Sequence, residues 1–117
     1  MSNKLFYLKT CSTNQKIMAQ FNLDDFELRE IKSEPITESE INEMYKLAGS
    51  YEAIFSRRSM KYKAWGLKDK TLTEADFKDL ILKEYTFLKR PVIIVGNQLF
   101  AGNAKKVVDA ALEASAL

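Results

Sequence analysis

Cys11 is the sole cysteine of a 117-residue chain that contains no histidine. Those two counts limit the chemistry. Without imidazole there is no Ser-His-Asp or Cys-His relay and no histidine-bearing zinc site, and one thiol excludes thiolate clusters and an internal disulfide. Reacting groups have to come from Cys11, carboxylates, lysines, arginines or hydroxyls. Cys11 sits in FYLKTCSTNQKIM, residues 6–18, where an apolar run stops and a helical spacing begins. The thiolate is the nucleophile, yet an ordinary thiol is only ~3% ionised at pH 7. Unpaired N–H groups at a helix start favour the anion, and a nearby guanidinium adds to the effect. The same place also suits an inert thiol, because free cysteine behaves as a small buried hydrophobe.

The flanking residues predict the elements that position this thiol. KLFYLKT has strand composition, with Leu5, Phe6, Tyr7 and Leu8 apolar on both faces as in a central strand. Ser12 and Gln15 fit a capping box, and Ile17, Met18 and Phe21 recur at helical spacing, which predicts a helix over about 13–21. FELREIK reads as a second strand, so the first ~32 residues form a βαβ unit with parallel strands. Thr37 with Glu40, and Thr73 with Asp76, form two further capping-box patterns, with Gly49 as a helix stop. Between them, residues 51–69 read as a short helix followed by an irregular basic stretch. PVIIVGNQLFAG places Gly96 and Asn97 between two apolar runs, a two-residue hairpin of the II′ kind. A last helix, capped by Asn103, presents Val107, Val108, Ala111 and Leu112. The order β-α-β, helical insert, β-β-α predicts a thioredoxin-like α/β fold with a mixed four-stranded sheet. It forms one domain over residues 1–117, with the insert at about 36–88.

Charge and hydropathy set the surroundings. The 18 basic and 16 acidic residues leave a net charge of +2, with no basic run that would engage nucleic acid. The start, MSNKLFYLKT, has too short an apolar run for a signal peptide, and no stretch approaches the ~20 apolar residues of a membrane span. The expectation is a soluble cytoplasmic protein with no metal and no bound cofactor.

The element order and local motifs resemble the arsenate reductase ArsC / Spx family of thioredoxin-like proteins over essentially the whole chain. YLKTCSTNQK is similar to the family's nucleophile loop, which implies that Cys11 is catalytic. SRRSMKYKAWGL is similar to its central basic segment, with Arg58 the better match to the first oxyanion arginine and Arg57 a close rival. LKRPVIIVGNQLFAG carries the second arginine onto Arg90 and implies a cis-proline at Pro91. The family's arsenate reductases have a third arginine after the last hairpin, where this chain has Asn103. The residue four after the nucleophile is Gln15, often basic in relatives. Asn14 stands where the Spx regulators place the second cysteine of a redox pair.

The resemblance implies a single-thiol oxidoreductase. Cys11 attacks a small oxyanion or a disulfide, and Arg58, Arg90 and Asn103 hold the anionic part. Backbone N–H groups of Ser12, Thr13 and Asn14 complete the cradle. With no second cysteine, an outside thiol resolves the adduct, and glutathione with a glutaredoxin is the implied reductant. The alternative is a non-catalytic, Spx-like regulator that binds RNA polymerase or another protein through the insert. The remaining conspicuous residues read as structural. Lys105 and Lys106 are solvated, Tyr51, Tyr62 and Trp65 pack the insert against the sheet, and the pairs Asp24–Asp25 and Glu38/Glu40 belong to turns and helix starts.

Overall fold

A computed structural model describes residues 3–116. It divides into two compact units: one runs through Glu34 and resumes at Arg90, the other is Pro35–Lys89.

The first unit is built on a four-stranded mixed sheet ordered β2-β1-β3-β4. Strand β1 (Asn3–Tyr7) pairs in parallel with β2 (Phe26–Glu30) and antiparallel with β3 (Val92–Val95), which pairs antiparallel with β4 (Gln98–Ala101). The central place of β1 explains its two apolar faces: Leu5 and Phe6 are both fully buried although they point in opposite directions. Leu5 and Ile93 share one core cluster with Ile17, Met18, Phe21, Phe26, Val108 and Ala111. That cluster binds α1 (Ser12–Met18) and α5 (Lys105–Ser115) to one face of the sheet. Each fully buried aliphatic or aromatic side chain of this kind contributes about 1.5–3 kcal/mol. The β3–β4 connection is the two-residue Gly96–Asn97 turn. Gly96 has φ 61°, and among the described residues none other than glycine has positive φ, so Asn97 does not. This pattern belongs to type II′ and excludes I′, which needs positive φ at both positions.

The second unit is helical. Helix α2 (Glu38–Ala48) starts at the full Thr37–Glu40 capping box and stops at Gly49. Helix α4 (Glu74–Lys83) starts at the full Thr73–Asp76 box. Its interior is a ring cluster in which Phe55 lies 5.3 Å from Phe87 and 4.8 Å from Phe77.

Several local expectations fail. The first helix begins at Ser12, so its N-cap is Cys11, which makes no side-chain cap bond, and it ends at Met18; Gln15 Nε2 donates to the Lys9 carbonyl. Helix α5 is capped by Ala104, one residue after Asn103 and without a side-chain cap bond. In residues 51–69 the α-helical segment, α3 (Met60–Ala64), falls inside the basic stretch, and the stretch before it has only a 3₁₀ turn at Glu52–Ile54. Ser59 decides this, because its hydroxyl accepts the Lys61 N–H and starts the helix there. The ring partners of Tyr51, Tyr62 and Trp65 are Tyr45, Phe55 and Phe87, all within the insert.

Candidate functional site

Strand register brings most of the candidate residues to one end of the first unit's sheet. Tyr7 is aligned with Glu30, Phe6 with Val92, and Val92 with Ala101. The ends of β1, β2 and β4 therefore meet the start of β3. The segments that leave or enter at that end carry Cys11, the start of α1, Arg90–Pro91 and Gly102–Asn103.

Residues 8–11 link β1 to α1, and their backbone groups are bonded almost one by one. The Leu8 N–H donates to Asn14 Oδ1 at 2.9 Å and the Lys9 N–H to Glu30 Oε2 at 2.8 Å. The Leu8 carbonyl accepts the Cys11 N–H at 3.1 Å, and the Lys9 carbonyl accepts Gln15 Nε2 at 3.0 Å. The first helical bond runs from the Gln15 N–H to the Cys11 carbonyl. The N–H groups of Ser12, Thr13 and Asn14 precede that bond and have no partner inside the helix. Cys11 occupies the N-cap with φ −89° and ψ 113°, and its side chain makes no cap bond. It is half-buried, a free thiol.

Asn14 was expected among the anion-binding residues. Its side chain is buried, at 1% exposure, with its oxygen committed to the Leu8 N–H. Ser12 and Thr13 are exposed. The Arg90–Pro91 peptide is cis, as the resemblance implied, and Pro91 is buried. Its carbonyl accepts the Gly102 N–H at 2.9 Å. Gly102 makes that bond at φ 101°, a backbone conformation that a side chain would disfavour, so glycine is needed where β4 turns toward Asn103. Arg90 is half-buried, and among the described residues its guanidinium has no hydrogen bond or ion pair; Asn103 is exposed.

Arg58 belongs to the other unit. Its side chain is exposed and has no ion pair among the described residues, while its backbone N–H donates to Ser56 Oγ. Arg57 is committed elsewhere: Nη2 is 2.7 Å from Glu52 Oε2, and the guanidinium lies 5.5 Å from the Phe77 ring centre and 5.8 Å from that of Phe55. A cleft of about 300 Å³ within the insert is lined by Leu67, Leu72 and Leu80 with a charged rim, and none of the candidate residues lines it.

Sequence reasoning missed Glu30. Its carboxylate accepts the N–H groups of Lys9, Lys32 and Ser33 and the Ser33 hydroxyl. Burial opposes its charge, but these donors outweigh burial and hold its pKa down to about 2. Nothing in a single sequence signals a strand-end carboxylate that bonds a backbone group 21 residues away. Asn14 did leave a signal: it lies three, four and seven residues before Ile17, Met18 and Phe21, on the apolar stripe.

The profile of the ArsC family matches residues 6–111. The chain belongs to the ArsC family. No curated protein matches it. An ArsC family related protein from Bacteroides fragilis is 22% identical, with a TM-score of 0.78 over 95% of this chain and 98% of that one. The arsenate reductase from Vibrio cholerae is 18% identical, with a TM-score of 0.74 over 97% of each chain. An arsenate reductase related protein from Brucella melitensis is 20% identical, with a TM-score of 0.69 over 94% of this chain and 93% of that one. At these identities the likeness is one of fold, the thioredoxin-like arrangement typical of ArsC proteins. Among the described residues no group of histidine, cysteine or carboxylate side chains forms a metal site, and no helix is long and apolar enough to cross a membrane.

Proposed function

We propose that this ArsC-family protein is an arsenate-reductase-like thiol oxidoreductase with Cys11 as its nucleophile. The observation that carries the reading is the position of Cys11: a half-buried thiol at a helix N-cap, its side chain making no cap bond, followed by three N–H groups that precede the first helical bond. Those donors suit an anionic group beside the sulfur. Arg90, half-buried and unpaired among the described residues, supplies a guanidinium at the same end of the sheet, and it holds an oxyanion by two parallel hydrogen bonds. Arg58 is a candidate anion ligand on its match to the family's basic segment, its guanidinium exposed and without an ion pair among the described residues. Asn103 supplies a neutral donor where relatives have a third arginine, so the pocket carries less positive charge. It suits a small oxyanion such as arsenate or an anionic disulfide.

The reaction takes two electrons. With arsenate, the Cys11 sulfur bonds to arsenic and an arsenic oxygen leaves as water. An external thiol then attacks the Cys11 sulfur, the sulfur–arsenic bond breaks, and its electron pair stays on arsenic as arsenic(III). With a disulfide, Cys11 forms a mixed disulfide and expels one thiolate. In each case a further external thiol regenerates Cys11, because the chain has no second cysteine to do so. Glutathione with a glutaredoxin-type protein in a reducing compartment meets that need.

The test is glutathione oxidation by the purified protein with glutathione and glutaredoxin, using arsenate or cystine as oxidant, beside Cys11→Ser. Turnover that requires Cys11 and one of the oxidants is expected. If neither oxidant is consumed above the rate of the Cys11→Ser protein, the enzymatic reading is lost, and a protein-binding role through the insert takes its place.

A further inference from the structure

The Glu30 carboxylate divides its two oxygens between two tasks. Oε1 takes the Lys32 N–H at 2.9 Å, the Ser33 N–H at 2.7 Å and the Ser33 hydroxyl at 2.8 Å, which closes the turn after β2. Oε2 is not needed for that turn. It reaches across to the Lys9 N–H at 2.8 Å, two residues before Cys11. The parallel alignment of Glu30 with Tyr7 makes this possible, because it sets the carboxylate beside the chain as it leaves β1. The other bonds that hold residues 8–11 come from neutral groups: Asn14, Gln15 and the backbone. A charged acceptor makes the stronger hydrogen bond, so the Glu30 contact is the firmest tie on the segment.

We infer that Glu30 is a positioning residue for Cys11: by holding the Lys9 N–H it fixes the turn that sets the sulfur at the start of α1. The catalytic part of this inference rests on the thiol oxidoreductase reading; the locking of the turn does not. Glu30 touches no reacting atom and acts through the backbone of residues 8–11. A displaced turn moves the sulfur relative to the N–H groups of Ser12, Thr13 and Asn14, and reactions that need both at once slow down.

Glu30→Gln separates the two tasks. Glutamine has one carbonyl oxygen, which the three donors on the Oε1 side claim, and its NH₂ group then faces the Lys9 N–H. Two quantities are measured on the folded full chain: backbone hydrogen exchange over residues 8–11, and the rate of Cys11 with glutathione disulfide divided by its rate with neutral iodoacetamide. The division removes any change in thiolate fraction, which affects both reagents alike. Exchange in that segment is expected to rise about tenfold, with β3 and α5 unchanged. The rate ratio is expected to fall about threefold or more. Ser33→Ala, which removes only the hydroxyl bond to Oε1, leaves both quantities as in wild type. If Glu30→Gln does not fold, Glu30→Asp keeps the charge but is one methylene too short to serve both turns, with the same expectations.

Wild-type exchange over residues 8–11 in either folded variant overturns the lock. Faster exchange with an unchanged ratio overturns the positioning role. If wild-type Cys11 reacts with glutathione disulfide no faster than an unstructured thiol, the oxidoreductase reading fails, and exchange alone then decides the lock.

Discussion

Arg57 and Arg58 are adjacent in sequence and opposite in circumstance. The guanidinium of Arg57 is bonded to Glu52 at 2.7 Å and rests over Phe55 and Phe77, while that of Arg58 is exposed and unpaired among the described residues. One is part of the insert's packing; the other is available to a ligand. Arg57→Ala is expected to lower stability by about 0.5–1 kcal/mol, since both members of its ion pair are about half exposed and solvent screens them. Arg58→Ala is expected to leave the melting temperature unchanged and to lower kcat/KM for an anionic substrate by about tenfold, as loss of a charge-assisted hydrogen bond does. Thermal melts and steady-state kinetics on the two variants check the division. A reversal of the two phenotypes would assign the ligand to Arg57.

Glu30 has a pH signature. Its pKa falls from 4.5 to about 2 on folding, so the folded state prefers the ionised carboxylate. That preference adds stability that is complete above pH 4.5 and is lost as pH falls toward 2. Glu30→Gln has no such proton to bind. The stability difference between wild type and variant is therefore expected to shrink as pH drops through that window. Denaturant unfolding at a series of pH values measures it, and a difference that stays constant with pH would contradict the Glu30 hydrogen bonds.

Much of this fold was legible because local rules and tertiary structure agree. The Thr37 and Thr73 boxes and the Gly96–Asn97 turn each depend on residues within a few positions, and each forms as read. Central placement of β1 followed from apolar residues on both of its faces. The site was legible in part. The position of Cys11 between strand and helix could be read, but its being the cap itself could not, because Ser12 is the better capping residue by type. The tie from Gln15 to the Lys9 carbonyl, together with the two bonds that hold Leu8 and Lys9, starts the helix one residue earlier. Those ties join β1, α1 and β2, and no local pattern encodes them.

The helix starts offer a graded comparison. Thr37→Ala and Thr73→Ala each remove a hydroxyl that accepts a backbone N–H, and each is expected to cost about 1 kcal/mol. Asn103→Ala is expected to cost nothing in stability, because α5 is capped by Ala104 and takes no side-chain bond. Any effect of Asn103→Ala should appear in the kinetics with arsenate instead. A clear drop in its melting temperature would return Asn103 to a capping role.

Asn14 supplies the sharpest separation of a structural from a ligand-binding role. Its side chain is 1% exposed and takes the Leu8 N–H at 2.9 Å. Asn14→Ala leaves that donor unpaired and is expected to cost about 1–3 kcal/mol. Asn14→Asp keeps an acceptor in place but sets a carboxyl where burial favours the neutral acid. In that variant the folded carboxyl holds its proton more tightly than the unfolded one, so its stability relative to wild type is expected to rise as pH is lowered toward ~4. A side chain that serves an anionic ligand would behave differently: Asn14→Ala would fold as well as wild type and lose only substrate affinity. Melting curves at two pH values, read beside KM, distinguish the outcomes, and the buried bond to Leu8 calls for the first.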